Sequence, residues 1–216
     1  LRFIKNTQSM RDVPPASPAV SRRLVHRRSI HVECYARDDG LWDLQAELRD
    51  VKTRDITLSA RCRPAGVPVH DMLLVVTIDT ALNVVDAQTY TLFSPYANCG
   101  EHDDAYKKLI GLNLLRGFRA AVRERLGGVL GCTHLTELTQ VLPTAAVQGL
   151  AGLADVALPA ARAEGEAQMP FQLNRCHALR LDGPAVAEFY PRWARPAAAG
   201  GAAGTISTPQ VEDETS

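Results

Sequence analysis

Apolar and polar residues alternate from Ser29 to Arg37 and again from Leu41 to Asp50, on either side of Asp38, Asp39 and Gly40. A period of two puts alternate side chains on one face of a strand, and Asp-Gly favours the positive φ of a tight turn, so this stretch predicts a β-hairpin. Lys52 to Ser59 is expected to extend the second strand, and Arg61 to Val69, interrupted by Pro64, Gly66 and Pro68, to form a loop. Val69 to Asp79 and Leu82 to Thr91 are rich in Val, Leu, Ile and Thr about a short polar link, and predict a second hairpin. The period then lengthens. Asp103 to Leu112 and Gly117 to Leu126 set apolar residues three or four apart between Lys, Arg and Glu, which predicts helices. After Gly127 and Gly128, Thr133 to Leu142 and Thr144 to Leu153 read as a longer helix, kinked or divided at Pro143. Strands followed by helices define an α+β class, with an antiparallel sheet of four or five strands, built as two hairpins, and helices packed on one face.

The two ends differ from this middle. Pro14, Pro15 and Pro18 stand among small residues, and Pro196 to Gly204 is nearly all Ala and Gly. Neither stretch buries enough apolar surface to offset the entropy of ordering. Residues 1–20 and 196–216 are therefore expected to be disordered tails around one domain spanning 21–195. Within it, Pro159 to Met169 reads as a surface loop, and Cys176 to Trp193 as a closing segment whose aromatics pack back on the core.

Composition narrows the partners. A chain of 216 residues suits one core, and 24 Lys plus Arg against 24 Asp plus Glu give no net field favouring nucleic acid or an anionic membrane. The basic run Arg22, Arg23, Arg27 and Arg28 lacks the interleaved aromatics of single-strand binders and reads as a solvated face. Apolar runs such as Met72 to Val76 fall far short of the roughly 20 residues a membrane helix needs. Leu1 to Arg11 has no signal-peptide pattern, and five widely spaced cysteines read as free thiols in a reducing compartment. The expectation is a cytoplasmic protein that binds neither nucleic acid nor membrane, its small-molecule or protein partner unspecified. Phosphate loops, dinucleotide fingerprints, Gly-x-Ser-x-Gly elbows and His-Glu-x-x-His motifs are absent, which sets aside the classes that need them.

Candidate chemistry centres on soft donors at element ends. His70 opens a strand, Cys99 follows one, and Cys132 precedes a helix, with Asp71 and His134 as candidate fourth ligands. Thiolate and imidazole bind zinc, and with thiolate dominant they hold iron–sulfur clusters, so a metal site of His70, Cys99, Cys132, Asp71 and His134 is expected, its cofactor zinc or a cluster. A helix N-terminus also favours a thiolate, which supports an alternative: a small enzyme with Cys132 as nucleophile and His134 or His70 as base. A third reading is a non-catalytic interaction domain. Cys34 and Cys62 read as small buried hydrophobes, His102, Asp103 and Asp104 as a helix start, and Cys176-His177 as a strand-end pair.

Five strings occur in order: Arg37-Asp-Asp-Gly-Leu-Trp-Asp43, His70-Asp-Met72, Arg123-Glu-Arg-Leu-Gly-Gly128, Gly131-Cys-Thr-His-Leu135 and Tyr190-Pro-Arg-Trp193. Through them the chain, from about Ser21 to Trp193, resembles the bacterial domain-of-unknown-function family 2889, a resemblance that implies no particular reaction. More distantly it resembles the IscU-like and NifU N-terminal scaffolds of iron–sulfur assembly. That likeness implies an IscU/NifU-like fold, with His70-Asp71-Met72 where those scaffolds have Cys-Gly-Asp, Cys99 near their second cysteine, and Cys132 before a helix like their third. Here His70 replaces the first cysteine, and the Gly-Cys order becomes Cys99-Gly100.

Overall fold

The computed structural model describes residues 20–58, 61–151, 169–170 and 172–196. The chain divides into two compact units, Leu1–Leu153 and Ala154–Ser216, and the expected 21–195 domain spans both. The predicted tails, except at Val20 and Pro196, and most of the 159–169 loop lie outside the described residues.

The first unit is α+β and is built on a four-stranded antiparallel sheet in the order β1-β2-β5-β6. Strands β1 (His26–Ala36) and β2 (Trp42–Lys52) form the first hairpin, β5 (Pro68–Ile78) and β6 (Val84–Phe93) the second. Gly40 turns the first hairpin at φ +81°, its N–H donating to the Arg37 carbonyl at 3.1 Å. The segment after β2 departs from expectation. It folds back as a short two-stranded ribbon, β3 (Ile56–Leu58) with β4 (Arg61–Arg63), where a strand extension and a loop are predicted.

Alternation decides which side of the sheet is covered. Leu44, Ala46 and Leu48 of β2 pair with Val76, Leu74 and Met72 of β5, and all six are fully buried. Their neighbours on the other face, among them Gln45, Glu47, Leu73 and Val75, are only partly covered. Helices supply the cover: α2 (Thr133–Thr139) lies over β2 and β5, α3 (Leu142–Leu150) over β1 and β2, and a 3₁₀ run, Ala97–Leu109, against β6. Helix α1 (Phe118–Leu126) packs on that run and on α2. The run replaces the expected helix from Asp103, and Asp103 caps nothing; its carboxylate accepts the Thr89 hydroxyl at 2.9 Å. Pro143 opens α3 within its first turn, a position where its missing N–H is not needed, so the chain divides there.

Helix α3 meets β1 closely at one point. A Cβ on Gly149 would fall 2.5 Å from Cys34 Sγ and 2.8 Å from its Cβ. Gly149→Ala gains helix propensity of about 1 kcal/mol but overpacks the contact by about 1 to 3 kcal/mol. A net loss on the order of 1 kcal/mol is expected in urea unfolding, and the double change with Cys34→Ala, which removes Sγ but leaves Cβ, should recover only part of it.

In the second unit, α4 (Pro184–Phe189) and a 3₁₀ turn at Pro191–Trp193 gather Leu173, Leu181 and Val186, with Leu179, Tyr190 and Trp193 packed against them. No helix among the described residues is long and apolar enough to cross a membrane.

Candidate metal centre

The buried face of the sheet turns polar at one end. Continuing the apolar rows by one step, Arg28 of β1 pairs with Asp50 of β2, and Asp50 with His70 of β5. A bulge follows at once, because Val51 pairs with Pro68 and Val69 is skipped. Three polar side chains therefore lie in line across three strands on the helix-facing side. Over them runs α2, which brings His134 and Glu137. Tyr106, fully buried in the 3₁₀ run, anchors the start of that helix by donating its hydroxyl proton to the Cys132 carbonyl at 2.8 Å, with Thr136 Oγ1 also 2.8 Å away. Burial pushes the Tyr106 phenol up to about 12, so it stays a donor.

Asp50 is the hub, with only 2% of its surface exposed. Arg28 grips it with two nitrogens, Nε at 2.9 Å from Oδ1 and Nη2 at 2.7 Å from Oδ2. His70 Nδ1 lies 3.0 Å from Oδ2, His26 Nε2 3.1 Å from Oδ1, and His134 Nε2 3.9 Å from Oδ2. Burial alone would push the carboxyl up, but the Arg28 hydrogen bonds and charge, aided by His70 and His26, outweigh it and hold the group at about 2. The His70 and His134 rings stack with centroids 3.8 Å apart. Burial lowers the pKa of both; the Asp50 hydrogen bond only partly offsets this at His70, and the neighbouring His70 ring and Arg28 add to it at His134. Near neutral pH the centre thus holds an ionised carboxylate and two neutral imidazoles, the protonation states a metal ion requires.

Among the described residues, one group of three His, Cys, Asp or Glu side chains has ligand atoms all within 4.8 Å of one another, and it is Asp50, His70 and His134. Of the residues singled out in the sequence, the structure brings His70 and His134 together. Cys132 stands beside them as the residue preceding α2, its Sγ 3.8 Å from His134 Nδ1 and 3.9 Å from Met72 Sδ. Cys99 sits in the 3₁₀ run outside the group. Asp71 alternates to the opposite face of β5, where its Oδ2 lies 3.6 Å from Arg49 Nε. Cys176 and His177 belong to the second unit, where His177 Nε2 lies 3.2 Å from Arg180 Nη1.

Asp50 and Arg28 were legible in the period of two. Asp50 extends the buried series Leu44, Ala46, Leu48, and Arg28 precedes Ile30 and Val32 at the same spacing. Reading Arg28 as part of a solvated basic run missed this, since its side chain is two-thirds covered and bound to two carboxylates.

A carboxylate and two imidazoles, held between an antiparallel sheet and the helix that covers it, define an α+β protein with a candidate metal centre. A family model described as Protein of unknown function (DUF2889) matches residues 26–148, more than half of the chain and every residue of this centre. The chain belongs to that family. No curated protein and no solved structure matches it significantly.

Proposed function

We propose that this protein binds one divalent transition-metal ion, zinc or ferrous iron, through Asp50 Oδ2, His70 Nδ1 and His134 Nε2, the ion displacing the proton that His70 Nδ1 donates to Asp50 so that His70 turns to its Nε2–H tautomer. The convergence of these three donors within 4.8 Å, on a face otherwise apolar, carries the reading. Two imidazoles and one carboxylate are the donor set of mononuclear sites that leave coordination positions open. Local charge agrees with it: Arg28 is shared between Asp50 and Glu137, whose Oε2 lies 2.5 Å from Arg28 Nη1. Arg28 keeps the Glu137 partner when Asp50 turns to a cation, and its charge is not stranded.

The same donors favour a single ion over an iron–sulfur cluster, because clusters are held chiefly by thiolates and the thiol beside this group is Cys132 alone of the expected trio's two. The donor set therefore gives no support to the cluster-scaffold function that the IscU/NifU likeness implies. All five cysteines are free, which accords with a reducing, cytoplasmic setting. The cysteine-enzyme reading rests on the 3.8 Å Cys132 Sγ–His134 Nδ1 approach, a long hydrogen bond to sulfur.

Calorimetric titration of metal-stripped protein with zinc, and anaerobically with ferrous iron, tests the proposal. One equivalent of at least one metal is expected to bind, with His70→Ala and His134→Ala each weakening it at least tenfold. A wild-type protein that takes up neither metal, or binding indifferent to both replacements, would end it.

A further inference from the structure

One row further into the sheet, the donors become soft. Met72 follows His70 on the same face of β5, pairs with Leu48, and is fully buried. Cys132 enters above it at the start of α2, so its Sγ faces Met72 Sδ at 3.9 Å and His134 Nδ1 at 3.8 Å. A thioether sulfur and an imidazole nitrogen thus both approach one thiol.

We infer that Cys132 Sγ, Met72 Sδ and His134 Nδ1 form a second site, selective for a soft monovalent ion, Cu(I). Donor type argues for it first, because thiolate and thioether are soft ligands that favour Cu(I) over hard dications. Spacing argues next. For a trigonal ion with bonds as long as zinc's, about 2.3 Å to sulfur and about 2.05 Å to nitrogen, sulfur and nitrogen lie about 3.8 Å apart and two sulfurs about 4.0 Å. The observed 3.8 and 3.9 Å match both separations. Charge argues last. On binding, the Cys132 thiol releases its proton to solvent and its sulfur lone pair forms the bond to copper, so thiolate plus Cu(I) is neutral. A neutral unit suits a position against the fully buried Met72, where an uncompensated dication would be costly.

This site is separate from the Asp50 centre in two of its three ligands and does not depend on that reading, but both use His134. A neutral imidazole carries one free lone pair, so His134 serves either Asp50's side through Nε2 or Cys132's side through Nδ1, not both. Copper and the divalent ion therefore exclude one another.

The test is an anaerobic Cu(I) titration of the full chain against a chromophoric Cu(I) chelator, with copper-edge X-ray absorption of the loaded protein. Expected are one tightly held equivalent, two sulfur scatterers and a nitrogen, and at least tenfold weaker binding in Cys132→Ser and in the volume-conserving Met72→Leu. Cys62→Ser, which removes an exposed thiol elsewhere, should leave the affinity unchanged. Copper held equally well by both site variants, copper lost with Cys62→Ser, or absorption data without two sulfurs would overturn the inference. The absorption measurement needs only wild-type protein, so a variant that fails to fold does not spare the idea. Zinc that binds while copper does not, or the reverse, separates failure here from failure of the Asp50 centre.

Discussion

Replacing Asp50 with alanine is expected to destabilise the protein by about 3 kcal/mol and to abolish binding of the divalent ion. Removing one partner of a buried ion pair leaves the other uncompensated, typically at about 3 to 5 kcal/mol. The lower end applies here because Arg28 is one-third exposed and retains Glu137. His26 and His70 lose their shared acceptor in the same change. The two effects separate in one set of thermal melts. Metal present at about a thousand times its dissociation constant should stabilise wild type by about 4 kcal/mol, and the variant not at all. Equal metal-induced shifts in both proteins would remove Asp50 from the site, whatever its part in stability.

Acid should lower the protein's stability in two stages. His70 and His134 have pKa values lowered in the folded state, so the unfolded chain binds more protons below about pH 6.5 and stability falls as pH drops through that range. Asp50 acts lower down. Its folded value of about 2 lies below the usual carboxylate value, so its contribution, on the order of 2 kcal/mol, is complete above about pH 4 and disappears as pH falls toward 2. Urea midpoints for metal-free protein at pH 7, 5 and 3 follow both stages. His70→Gln with His134→Gln should flatten the first and leave the second, while greater stability at pH 5 than at pH 7 would contradict the burial of neutral imidazoles.

The sheet was legible because its signals are local. Asp39-Gly40 specified the first turn, and the period of two placed both hairpins within a few residues of their observed ends. The ribbon was not, because Ile56-Thr57-Leu58 and Arg61-Cys62-Arg63 are too short to show a period, and Pro64 and Gly66 beside them imitate an ordinary loop. The 3₁₀ run misled for a different reason: apolar residues three apart fit both kinds of helix.

At the site, residue type and residue parity carry different information. His70 and His134 stand out by chemistry, whereas Asp50, an acidic residue at a strand end, is marked only by its place in the buried row. Parity also separates Asp71 from His70, since adjacent strand residues face opposite ways. The link to α2 lies beyond any such count, because Arg28 and Glu137 stand 109 positions apart and meet only once helix and sheet have docked.

Alternation also governs which changes in chain length the centre can survive. Extra residues in the turn at Asp38–Gly40 would loop outward and keep Arg28, Asp50 and His70 abreast, since the pairing on both sides of the turn is unaltered. A single residue inserted within β2 between Leu44 and Asp50 would instead rotate everything after it by half a turn, presenting Arg49 to the interior and the hub carboxylate to water. Loop length is thus free to drift in this protein, while strand length ahead of Asp50 is locked.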